Sequence, residues 1–124
     1  MVESAIRFPE RTVNCGTMEA NMIGVAAGMS SVGMIPYLYT FGCFATRRCL
    51  DQIFVSAAFA KATIRTIGSD PGVTAAFNGA THMPFEDIGS LRDIRCPAAI
   101  RPSDFSVGSK HPPCVGRTSF HRRD

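Results

Sequence analysis

At 124 residues the chain has room for one domain built on a single core, and no more. Its 45% hydrophobic and 19% charged residues exclude disorder of the whole. The net charge of +3 belongs to the end of the chain, where Arg101, Lys110, Arg117, Arg122 and Arg123 face only Asp104 and Asp124, so the rest is near neutral and carries no basic stripe for nucleic acid.

In chain order, Glu3, Arg7, Glu10 and Arg11 interrupt the N-terminus and exclude a secretory hydrophobic region. From Ala20 to Thr46 there is no charge at all, and Glu19 stands at the mouth of that stretch. A carboxylate there is either solvated at a helix N-terminus or half-buried with a shifted pKa and a chemical task. Residues 18–32 read as a helix ended by Gly33. Its Gly24, Ala26, Ala27 and Gly28 predict the close approach of another backbone, because an interior glycine costs about 1 kcal/mol against alanine. Ile35 to Tyr39 is apolar without alternation, as a buried parallel strand should be. Residues 44–61 predict one continuous helix with Leu50, Ile53, Phe54, Ala57 and Ala58 as its apolar stripe. A second strand is expected at 63–67, closed by Gly68, then a long loop from Ser69 to Pro84. Phe85 to Leu91 predicts a short helix, and Ala98 to Ile100 a third strand. From Arg101 on, Pro, Gly and Ser interleave with basic residues without periodicity, and residues 105–124 are expected to form an irregular basic tail.

Strands alternating with helices imply an α/β fold, a parallel sheet with helices on both faces. Ligands in such sheets sit at the carboxyl ends of the strands, where Glu19, the Thr40–Phe44 turn and the loop around His82 all fall. Residues 20–46 are long enough to cross a bilayer, but Asn21, the break at 30–33, Pro36 and Gly42 divide them, and no membrane span is expected. Five cysteines without a Cys-x-x-Cys pair read as reduced thiols of a cytoplasmic protein. The scattered histidines match no zinc spacing, and no metal ligand is assigned.

Four stretches taken together resemble one family. Phe8-Pro9-Glu10-Arg11 is followed by Gly16-Thr17-Met18-Glu19-Ala20-Asn21-Met22-Ile23-Gly24-Val25-Ala26-Ala27-Gly28. Then come Thr40-Phe41, Phe44, Arg47-Arg48 and Asp51-Gln52-Ile53, and last Gly68-Ser69, Gly79-Ala80-Thr81-His82 and Glu86-Asp87-Ile88. Over residues 7–104 this resembles the pyrimidine-binding domain of the transketolase family, and within it the separate C-terminal subunit of split transketolases. The resemblance implies a thiamine diphosphate site and two-carbon ketol transfer between phosphosugars, a transferase reaction. The glutamate at the place of Glu19 would bond N1′ of the cofactor's aminopyrimidine and promote proton exchange there. A carboxyl group in an apolar, partly desolvated site, protonated near neutral pH, would suit that task. Phe41 and Phe44 match the aromatic wall around the pyrimidine, Arg47 and Arg48 a basic pair beside the cofactor, and His82 the histidine that reaches substrate oxygens.

There are departures from the family pattern. Ala20 stands where the family has glutamine, Asp70 where it commonly has a second histidine, and Asn78 where it has aspartate. Beside a phosphosugar, the charge of Asp70 would repel. The resemblance further implies that the domain is truncated: a strand and helix would precede it, and a helix and strand would follow residue 104. The diphosphate and its magnesium would be held by a partner subunit carrying Gly-Asp-Gly…Asn, in a homo- or hetero-oligomer. The alternative is a catalytically silent fragment or a non-catalytic partner-binding module. The isolated chain is expected to be inactive.

Overall fold

The computed structural model describes residues 2–94, 97–100 and 117–120. A short helix α1 (Val2–Arg7), which the sequence pattern did not announce, is followed by a 3-10 turn at Pro9–Arg11. Helix α2 (Glu19–Ser31) stops at Gly33, whose φ of 87° suits glycine. There the Gly33 N–H bonds the Ser30 carbonyl and the Met34 N–H the Met29 carbonyl, a Schellman-type closure. Strand β1 (Tyr37–Phe41) and strand β2 (Arg65–Ser69) both lie two residues later than their sequence patterns suggest. They pair in parallel, Tyr37 opposite Arg65 through Phe41 opposite Ser69.

The helix expected over 44–61 is broken into pieces. It runs as α3 (Gly42–Ala45), a 3-10 turn at Arg47–Cys49, α4 (Leu50–Gln52) and a π-helical stretch over Ile53–Phe59. The break falls at Thr46, with φ −122° and ψ −88°, whose hydroxyl donates to the Gly42 carbonyl at 2.8 Å and takes the acceptor a continuing helix would use. The wider π winding also rotates the apolar stripe: Ile53 and Ala57 are fully buried, while Phe54 is left 53% exposed. Two 3-10 turns, Ala76–Asn78 and Ala80–His82, punctuate the long loop. Helix α5 (Asp87–Arg92) and strand β3 (Pro97–Ile100) follow.

The core joins Ile23 and Ala26 of α2, Leu38 of β1, Cys49, Ile53, Ala57, Ile64, Leu91 and Ile94. Two expectations change. Gly24 and Gly28 have open space where a Cβ would stand, so among the described residues no other backbone packs against them. β1 alternates, with Leu38 buried but Tyr37 and Tyr39 exposed on the opposite face. That open face belongs to an incomplete α/β layer. The sheet is also not wholly parallel. Strand β4 (Arg117–Phe120) lies between β2 and β3, antiparallel to both, in the order β1-β2-β4-β3. It falls inside the stretch expected to be irregular, and its four residues are too few to show a period. The rest of that tail, 105–116 and 121–124, lies outside the described residues. Among those described, no helix is long and apolar enough to cross a membrane.

Candidate active site

Glu19 opens the first turn of α2, where free backbone N–H groups favour a carboxylate, yet its side chain is only 7% exposed. Two partners hold it. The Thr40 hydroxyl, one residue before the end of β1, donates to Oε1 at 3.1 Å, and Arg48 Nη1 donates to Oε2 at 2.9 Å. Burial pushes the carboxyl up, but it is outweighed by the Arg48 hydrogen bond, a backbone N–H, the Thr40 hydroxyl and the charge of Arg48, which together leave it below the usual glutamate value. This corrects the expectation of an apolar carboxyl that stays protonated near neutral pH. The sequence shows a charge-free stretch around Glu19, but the fold brings in a guanidinium from 29 residues away.

The same guanidinium lies over the Phe44 ring, its carbon 3.6 Å from the centroid. Phe44 and Phe41 meet edge to face at 5.9 Å, and the His82 ring packs against both, 4.9 Å from Phe44 and 5.3 Å from Phe41. Glu19, Arg48, Phe44, Phe41 and His82 therefore form one continuous cluster at the carboxyl end of β1. Arg47 is directed elsewhere. Its Nη1 donates to Glu86 Oε1 at 2.9 Å and its Nη2 to the Thr81 carbonyl at 2.6 Å, so it grips the turn that carries His82.

Close packing beneath the site sets these positions. A Cβ on Gly68 would stand 2.8 Å from the Cα of Gly42, and one on Gly42 would meet the Ser69 carbonyl at 3.1 Å and Pro84 at 3.2 Å. The end of β2 thus touches the start of α3, the helix that carries Phe44, with no side chain between them. Cys49, fully buried, donates its thiol to the Phe44 carbonyl at 3.2 Å, and burial with the nearby Glu19 charge pushes that thiol up to about 12. Thr40 and Glu86 were not singled out as site residues from the sequence. Thr40 is 21 residues from the carboxylate it bonds, and only its place beside Phe41 in the resemblance marks it. Asp70, just past β2, adopts a left-handed backbone with φ 54°, which an aspartate tolerates better than a branched residue. Asn78 is exposed and ends the 3-10 turn before Gly79. Among the described residues no three His, Cys, Asp or Glu side chains gather as a metal ion would require.

Comparison with known proteins identifies the family. Residues 1–106 match the family model described as the transketolase pyrimidine-binding domain. The chain is 45% identical over 98 residues to a 6-deoxy-6-sulfo-D-fructose transketolase subunit of Clostridium sp. (strain MSTE9), covering 79% of this chain and 30% of that protein. It is 37% identical over 101 residues to a protein of Methanocaldococcus jannaschii described as the C-terminal section of a transketolase, covering 82% and 32%. Human transketolase is 33% identical over 97 residues, covering 77% and 15%. The chain thus spans about a third or less of the length of the curated relatives it matches. A family model that spans most of the chain, and relatives that are themselves transketolase subunits and sections, lead to one conclusion: the chain belongs to the transketolase family and carries its pyrimidine-binding domain.

Proposed function

We propose that the chain supplies the pyrimidine-binding half of a thiamine diphosphate site in a split transketolase, for two-carbon ketol transfer between phosphosugars. The observation that carries the reading is the cluster itself: one buried carboxylate, Glu19, set beside two aromatic rings and a histidine. A flat, nitrogen-bearing ring asks for an apolar wall and one carboxylate at its edge, and the donor set fits that group. In this reading Phe41 and Phe44 form the wall, and Glu19, kept charged by Arg48, would accept a hydrogen bond from the protonated ring nitrogen. His82 faces the space next to the wall and would contact substrate oxygens. When bound, the cofactor supplies the nucleophilic carbon that carries the two-carbon unit. The diphosphate and its magnesium are assigned to a separate diphosphate-binding subunit, in an assembly placed in the cytoplasm.

One observation favours a second reading, a module that binds a partner without cofactor. Both oxygens of Glu19 are already engaged, and Arg48 covers the Phe44 face that a stacked ring would need. Reconstitution with a diphosphate-binding transketolase subunit separates the two. The first reading expects ketol transfer by the complex and its loss on Glu19→Ala. Equal activity of the two complexes would remove the enzyme reading, and a complex that forms regardless of thiamine diphosphate and turns nothing over would support the second.

A further inference from the structure

The turn that carries His82 is fastened at three points. At its start Gly79 has φ 80° and ψ −176°, a backbone conformation essentially reserved for glycine, which reverses the chain out of the preceding turn. At its far end Pro84 is fully buried against Gly42. Between them the turn has two backbone bonds of its own, the His82 N–H to the Gly79 carbonyl at 3.0 Å and the Met83 N–H to the Ala80 carbonyl at 3.3 Å, and one side-chain bond between Thr81 Oγ1 and His82 Nδ1 at 2.9 Å. These bonds lie within the turn or at its ends, so none of them ties its middle, where the histidine sits, to another element. Arg47 does. Its two terminal nitrogens form a fork, one on the Thr81 carbonyl inside the turn and one on Glu86 beyond it. A planar guanidinium with two acceptors fixed at once leaves the Thr81 peptide one orientation, and that peptide leads directly into His82.

The geometry points to Arg47 as a positioning residue rather than a cofactor ligand. By holding the Thr81 carbonyl against Glu86, it keeps the His82 ring on Phe41 and Phe44 and aims it at the site. This rests on the proposed thiamine diphosphate reading for its meaning in catalysis, but the positioning itself is testable without any cofactor. Glu86 shares the task, and its carboxyl is held below the usual glutamate value by a backbone N–H and the hydrogen bond from Arg47. Each contact is exposed, and an isolated surface ion pair of this kind would contribute little to stability. The value of the fork lies in orientation.

Carbon–proton NMR of the histidine rings in the full chain reads this directly, with His82 assigned by its absence from the His82→Gln spectrum. Lying edge to face on two aromatic rings, the His82 ring protons should be displaced from their free-histidine positions in the unaltered chain. In Arg47→Gln, with amide dispersion showing that the fold is kept, they should return most of the way. Arg47→Lys keeps the charge but cannot span both acceptors, and should show an intermediate displacement. A merely structural role would lower the melting temperature and leave the His82 signals of the folded chain where they were. Unmoved signals in folded Arg47→Gln overturn the inference. Should that variant not fold, Glu86→Ala removes one acceptor of the fork with Arg47 in place, and the same return is expected; its absence is equally decisive. Thiamine diphosphate is absent from every arm, so failure here leaves the cofactor reading standing, and failure of cofactor binding leaves this result standing.

Discussion

Glu19 and Arg48 meet at 2.9 Å with the carboxylate almost buried and the guanidinium 43% exposed, so the environment of one depends on the presence of the other. Because the folded-state value of Glu19 is depressed, its contribution to stability is present above the ordinary glutamate value of about 4.5 and is lost as pH falls through the folded one. In Arg48→Gln both lowering influences of Arg48 go while burial, the largest single influence, stays, so the folded value rises and the variant loses less stability than the unaltered chain as pH falls. At pH 7 the cost should be about 1 kcal/mol, less than for a fully buried pair because Arg48 is half in water. Urea denaturation at pH 7 and pH 4 would show it. Parallel pH slopes for the two proteins would mean that Glu19 does not depend on Arg48.

Two glycines should respond in opposite directions. Gly28 lies on an exposed turn of α2 with nothing near its missing Cβ, and Gly28→Ala should stabilise by about 1 kcal/mol through helix propensity alone. Gly68→Ala forces a methyl to 2.8 Å from the Gly42 backbone, which cannot yield as a flexible side chain would. A loss of about 1–3 kcal/mol is expected, with α3 and Phe44 displaced. Melting curves of the two variants test the pair, and similar midpoints would refute the close approach.

Those glycines also show what could be read in advance. Gly28 invited an inference of close packing from its cost, yet the helix simply carries it. Gly68 looked like a strand terminator, yet β2 runs through it because that is where α3 comes in. The helix at Glu19, both parallel strands and the final helix were legible because each rests on a local pattern. Thr46 ended a helix by a single side-chain bond, which no periodicity reveals. Among the site residues, Glu19, Phe41, Phe44, Arg48 and His82 fall into one cluster, whereas the fork of Arg47 depends on partners 34 and 39 residues away. The missing part is long-range electrostatics: the sequence shows a carboxylate in an uncharged stretch, and only the fold supplies its cation.

Cysteine reactivity should follow burial. Cys43 and Cys49 are both fully buried; burial raises the thiol of Cys43, and Cys49 is pushed up to about 12 by burial and the Glu19 charge, so both are held back from ionising in the folded chain. Cys15, half-buried in the segment before α2, is the accessible cysteine among the described residues. Brief maleimide labelling at pH 7.5, mapped by peptide mass, should mark Cys15 and spare Cys43 and Cys49 until denaturant is added. Labelling of Cys49 in the native chain would mean that the floor under Phe44 opens.

Thr66, the second residue of β2, is fully buried, with its hydroxyl unpartnered among the described residues. A hydroxyl taken out of water without a partner is a net cost, and valine has nearly the same shape without it. Thr66→Val should therefore stabilise the chain by about 1–2 kcal/mol, an unusual sign for a core substitution. The residue lies on a buried strand position outside the cluster around Glu19, so thiamine diphosphate binding by a reconstituted complex should not change. A urea midpoint that falls would mean that the hydroxyl has a hydrogen-bond partner in solution that valine cannot keep.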